Sequence, residues 1–160
     1  MNINEKLELC YEIIMQAARA KLLNARGVRT GYTHWLGPEL KKEVRIFSGY
    51  VSQQAIENGT HIGLVLEHFL RIQTELTSLI AKHLETGENP EEFVKEVKRL
   101  EQVHIVTKDE NTTLRRKDIS GSYEKAGIEL IHWSNVPPES IGFLKKKLQG
   151  AVANAQEFIG

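Results

Sequence analysis

Basic and aromatic side chains crowd one glycine-punctuated stretch of the chain, Asn24 to Gly37. It carries Arg26, Arg29, Tyr32, His34 and Trp35, set among Gly27, Gly31 and Gly37. Guanidinium groups grip phosphate or carboxylate through paired hydrogen bonds, and phenol and indole rings offer stacking faces for a base. The glycines let the backbone turn close to a ligand. Together they suit a nucleotide or another phosphorylated anion, although the glycine spacing matches neither a P-loop nor a dinucleotide fingerprint. A connection this long, with Val28 and Leu36 beside its rings, reads as an ordered binding loop rather than a solvated linker. The competing structural reading packs the rings onto neighbouring helices and leaves the arginines in water.

Two other groupings carry chemistry. His61, Glu67, His68, Arg71 and Glu75 follow one another along what reads as a single long helix. A metal held there needs carboxylates from a second helix. Further on, Thr107, Lys108, Asp109, Glu110 and Asn111 follow a short strand, with Arg115 and Arg116 beyond. Side chains at a strand's C-terminal end gather into sites in α/β units, and the two arginines join the candidate ligand-binding set. Asp109 and Glu110 also complement a helix dipole, which is a purely structural use. His104 and His132 lie in two short strands. With six histidines in the chain, chance Ser-His-Asp combinations are plentiful, and no G-x-S-x-G elbow is present.

Composition narrows the partners. Lys plus Arg and Asp plus Glu balance at 21 each, so binding to DNA or an anionic membrane by bulk charge is not expected. A single cysteine, Cys10, excludes an internal disulfide and cysteine-cluster zinc sites. It sits on an apolar helical face as a buried small hydrophobe. No stretch reaches the ~20 apolar residues a spanning helix needs, and no signal-type run opens the chain, which points to a cytoplasmic protein. At 160 residues the simplest organisation is one domain, 1–160, that buries a real core.

Positioning these groups falls to elements read from periodicity. A first helix is expected from Glu5 to Ala25 and a second from Pro38 to about Glu57, although Val44, Ile46, Phe47, Tyr50 and Val51 favour strand there. A long helix is expected from His61 to Leu84, capped by Thr60, and another from Asn89, with Glu92 completing a capping box. Strands at 103–107 and 128–133 enclose helical turns opened by a Thr107–Glu110 capping box, and suggest a small parallel βαβ unit. A last helix, Glu139 to Gln149, ends at Gly150. The expected fold is mainly α: a bundle of about four helices (1–102), a small C-terminal α/β subregion (103–150) and a tail (151–160).

The functional expectation is a soluble ligand-binding or regulatory protein. It self-associates through helix faces and binds a nucleotide or phosphorylated small molecule through Arg26, Arg29, Tyr32, His34, Trp35, Arg115 and Arg116. The alternative is a metal-dependent nuclease or nucleotide hydrolase drawing ligands from Asp109, Glu110, His104, Glu67 and His68. No cofactor, resident metal or catalytic residue is assigned by the sequence.

Overall fold

The computed structural model describes residues 1–159. In chain order the elements are α1 (Ile3–Arg19), α2 (Ala25–Thr30), a π-helical segment (Gly31–Leu36), α3 (Gly37–Val44), β1 (Ile46–Ser52), α4 (Gln53–Glu57), β2 (Leu64–His68), α5 (Ile72–Thr86), α6 (Pro90–Leu100), β3 (Gln102–Thr107), α7 (Lys108–Leu114), α8 (Tyr123–Ala126), β4 (Leu130–His132), a 3-10 turn (Trp133–Asn135), α9 (Pro138–Leu148) and α10 (Gln156–Ile159). They form two compact units. One comprises Met1–Arg45 and Leu70–Glu101, the other Ile46–Phe69 and Gln102–Gly160. Among the described residues no helix is long and apolar enough to cross a membrane.

The helical unit is organised by α1. Asn2 caps it through a reciprocal box with Glu5, and Leu7, Cys10, Tyr11, Ile14, Met15 and Ala18 form its buried stripe. Burial raises the Cys10 thiol pKa, in keeping with an inert core position. Phe93 of α6 packs tilted against Tyr11 at 4.8 Å and edge-on to Tyr32 at 5.6 Å. Polar groups bind the same helices. The Tyr11 hydroxyl accepts from the Asn89 amide and lies 2.7 Å from Nδ1 of His83, whose Nε2 is 2.9 Å from Glu92. The Glu92 carboxylate therefore turns to His83 and Lys82 instead of closing the expected box on Asn89. Asn89 still caps the Glu92 amide.

The stretch expected as a binding loop is helical. α2 runs directly into the π-helical segment and then into α3. Gly37 makes the wide turn feasible, because a Cβ there would sit 2.8 Å from the Tyr32 carbonyl oxygen. The first helix, expected to reach Ala25, stops at Arg19; Asn24 caps the restart, and Gly27 lies inside α2.

The second unit corrects the expected fold class. It contains a four-stranded mixed sheet, ordered β2-β3-β1-β4, so the chain is an α/β fold and not a helical bundle with a small appendage. Two of its strands lie in stretches read as helix. Between Pro38 and Glu57 the helix ends at Val44, and the β-branched and aromatic run becomes β1. Gly49, at φ +90°, also fits an irregular strand better than a helix. The long helix expected from His61 begins only at Ile72, and Leu64–His68 is β2. Nor do the two C-terminal strands pair as a βαβ unit. β1 lies between them, parallel to β3 and antiparallel to β4.

One sheet face is closed by α4 and α9. Phe47, Val51, Leu64, Val103 and Ile105 meet Ala55, Ile56, Leu144 and Leu148 in its core. Beyond α9 the chain packs back onto this core: Val152 and Ala155 are buried, and Phe158 lies edge-on to Phe47 and Trp133. Asn154 donates to the Phe47 carbonyl and accepts from its amide, both at 2.9 Å, supplying bonds that a further strand residue would make. On the opposite face α7 packs on β2 and β3, and α8 on α7. The Thr107–Glu110 capping box forms as read. Glu110 is buried and accepts from the Ser52 hydroxyl at 2.5 Å and the Thr107 amide at 2.9 Å.

Two stability outcomes follow from these packing details. Glu110→Ala leaves the buried Ser52 hydroxyl and the Thr107 amide without their acceptor. It should lower stability by about 1–3 kcal/mol in urea titration, and an unchanged midpoint would show that neither donor depends on it. The Tyr32 hydroxyl is buried without a hydrogen-bond partner. Tyr32→Phe should therefore match the parent or exceed it by up to about 1 kcal/mol; a loss would reveal a bond to that hydroxyl.

Candidate functional site

Alternation along the strands brings one polar and aromatic set to the sheet face that α7 and α8 cover only in part. Glu67 of β2 is directly opposite His104 of β3, and Tyr50 of β1 is directly opposite His132 of β4. β1 is irregular between these pairs: Phe47 matches Val103 and Val51 matches Ile105, so β1 spends two extra residues on the same length of β3. Three residues, Ser48–Gly49–Tyr50, thus stand against His104 alone, hinged at the left-handed Gly49. That arch carries Ser48 to His104, with Oγ 2.6 Å from Nδ1, and the Ser48 oxygen also accepts the Tyr50 amide at 3.2 Å.

Rings surround the imidazole of His104. Phe69 stacks on it at 4.0 Å with the planes 8° apart. Tyr123 of α8 meets it edge-on at 5.4 Å, and Tyr50 at 6.0 Å. Tyr50 also stands 5.2 Å from His132, so its phenol lies between the two imidazoles. The Tyr123 hydroxyl donates to Oε2 of Glu67. Tyr50 and His132 are exposed and form the open rim, whereas His104 is only 7% exposed.

Burial sets the protonation states. It lowers the His104 pKa to about 4, so the ring is neutral near pH 7. Burial also raises the Glu67 pKa, opposed by the Tyr123 hydrogen bond and by the nearby charges of His68 and Arg115. Tyr123 is raised too, by burial and by Glu67, and stays a donor. Ser48 Oγ receives the Tyr50 amide and keeps both a hydrogen to give to His104 Nδ1 and a second lone pair, so the contact fits either imidazole tautomer; with Ser48 as the donor, the ring proton resides on Nε2. Nε2 has no protein partner among the described residues and is not sealed from solvent; the same holds for Oε1 of Glu67.

A serine donating to a histidine is also the contact between a nucleophile and its base. Here the physics opposes that use. The buried imidazole resists the positive charge it would take up, and no carboxylate bonds its other nitrogen among the described residues. The arrangement is better suited to hydrogen bonding and stacking than to proton abstraction from Ser48.

The sequence-nominated residues lie elsewhere. Arg29 is buried and donates through Nε to Thr77 at 3.1 Å, and Tyr32, 1% exposed, is in the helical core. Arg26 and His34 are exposed, and Trp35 is 71% exposed. Helical winding thus divides this stretch between interior and surface. Arg116 pairs with Asp118 at 2.8 Å on the surface, and Arg115 is exposed near Glu67. Asp109 and Lys108 line a polar cleft of about 510 Å3 with Glu57 and Gln54, while Glu110 is turned inward. Among the described residues no three His, Cys, Asp or Glu side chains converge to hold a metal ion.

His104 and His132 are legible as strand histidines, but the strands that carry them are not adjacent, and Tyr50 of β1 lies between the two rings. Ser48, Tyr50, Phe69 and Tyr123 were not nominated at all. Their signal was the β-prone run around Gly49 and the alternation that sets Glu67 and Phe69 on one face of β2. Neither family models, nor characterised protein sequences, nor solved structures show a match to this chain.

Linkage gives the sign of the pH response. The unfolded chain protonates His104 near pH 6.5, the folded one near pH 4. Its contribution to stability is therefore full above that interval and is lost as pH falls through it. Glu67 works in the opposite sense: its contribution is present at low pH and is lost as pH rises through its elevated folded value. An NMR titration of the imidazole should find His104 neutral down to about pH 4; a midpoint near 6.5 would mean that the ring is solvated.

Proposed function

We propose that this protein binds a small molecule bearing a planar, hydrogen-bonding ring, of the nucleobase or nucleotide class, on the open sheet face beside His104. The observation that carries the reading is the convergence of Glu67, His104 and Tyr123 beneath an exposed Tyr50–His132 rim. The two rings at the rim offer edges and faces against which a flat ligand stacks, and stacking on an aromatic side chain is worth about 1–3 kcal/mol per base. Beneath them, groups with free hydrogen-bonding capacity give orientation, the usual division of labour in a ligand pocket. Arg115, exposed and near enough to Glu67 to lower its pKa, supplies a cation for an attached phosphate. The function is recognition rather than turnover, because neither the Ser48–His104 pair nor the acidic groups form a complete catalytic constellation.

Thermal-shift and NMR titrations with a panel of nucleosides and nucleotides test this. A member of the panel should perturb the amides of β1 and β4, and Tyr50→Ala should weaken it about five-fold to a hundred-fold, the loss of one stacked ring. Phosphate-bearing members should lose their advantage over nucleosides in Arg115→Ala. Silence across the panel at millimolar concentration, or affinity indifferent to Tyr50→Ala, would remove the reading.

A further inference from the structure

We infer that the ligand presents to His104 and Glu67 a ring edge on which a hydrogen-bond acceptor lies next to a donor. The assignment rests on the ring-binding reading above and adds its chemical selectivity. His104 and Glu67 are cross-strand partners, so their side chains leave the sheet side by side on one face. Each has one end fixed by the protein. Ser48 holds Nδ1 of His104, and Tyr123 holds Oε2 of Glu67. Phe69 clamps the imidazole plane from one side. With the Ser48 hydrogen directed at Nδ1, the free ends are a donor, Nε2–H of His104, and an acceptor, Oε1 of Glu67. His104 is more than nine-tenths buried, yet Nε2 is neither bonded nor sealed, so this nitrogen opens onto the face where a ligand would lie.

A fixed donor beside a fixed acceptor is matched by the inverse pair on a ligand. Two kinds of heterocycle carry it: lactams, with a carbonyl next to a ring N–H, and amidines, with a bare ring nitrogen next to an amino group. A plain aromatic ring would stack at the rim but strand both protein groups without partners. Leaving a buried polar site unpaired is the costlier error, which is how such a pair discriminates.

Calorimetric titration of the whole chain with inosine and adenosine tests the assignment, each beside an analogue whose edge donor is blocked. These analogues are inosine methylated at its ring N–H and adenosine dimethylated at its amino group. Blocking is expected to weaken the preferred nucleoside by about ten-fold or more, and Glu67→Ala should weaken the unblocked form by a similar factor while leaving the blocked form unchanged. Preference for inosine identifies a lactam and preference for adenosine an amidine; either supports the assignment. Equal affinity for blocked and unblocked forms in both series overturns it while ring binding stands. Failure of all four compounds to bind removes the ring-binding reading along with it.

Discussion

The centre of the sheet is a parallel pair of strands of unequal length. β1 needs two more residues than β3 to cover the same distance, and the slack is taken up at Ser48–Gly49–Tyr50. Pairing in unbroken register would set only one β1 residue opposite His104. The arch at Gly49 instead brings the Ser48 hydroxyl to His104 while placing Tyr50 against both His104 and His132. The arch supplies the hydrogen bond at Nδ1 and one ring neighbour, whereas Phe69, Tyr123 and the burial that keeps the imidazole neutral come from other elements. Phe47 and Val51 on either side of the arch stay in the apolar core, so the irregularity is held at both ends.

Within this site two buried groups oppose each other electrostatically. Desolvation favours the neutral form of each: for the imidazole that means losing a proton, for the carboxyl keeping one. The Tyr123 hydroxyl and the charges of His68 and Arg115 pull Glu67 back towards ionisation, whereas only burial acts on His104. The histidine is therefore the fixed partner of the pair, and the carboxyl is the one whose charge a neighbouring group can adjust.

Much of the α-helical framework could be read directly. The α1 stripe, the Asn89 and Thr107 caps and the last helix depend on local signals: 3.6-residue periodicity, a side-chain acceptor three residues before an amide, a proline at a helix start. The sheet was obscured for a physical reason. β2 carries apolar residues on both of its faces, so Leu64, Val65 and Leu66 form an unbroken apolar run, and with Ile62, Phe69 and Ile72 nearby their spacing mimics a helix. β1 hides its alternation behind its own arch. The candidate site is legible only in part: Glu67 and His104 read as candidate metal ligands and His132 as a strand histidine, but their convergence with Tyr50 and Tyr123 depends on long-range pairing that no local signal encodes. Conversely, the Asn24–Gly37 stretch looked like a site because its glycines suggested a loop, whereas Gly37 serves a wide helical turn.

The chain order has a consequence for how the molecule is made. β3, the strand between β2 and β1, is synthesised only after α5 and α6, which belong to the other unit. Until β3 emerges, β1 and β2 have no common partner, and their edges remain unpaired hydrogen-bonding templates. The closing of the sheet is thus a late, non-local step, paid for in loop entropy across an intervening pair of helices. The nascent protein should pass through a stage in which its helical half is largely available while the future sheet is still two separated ribbons.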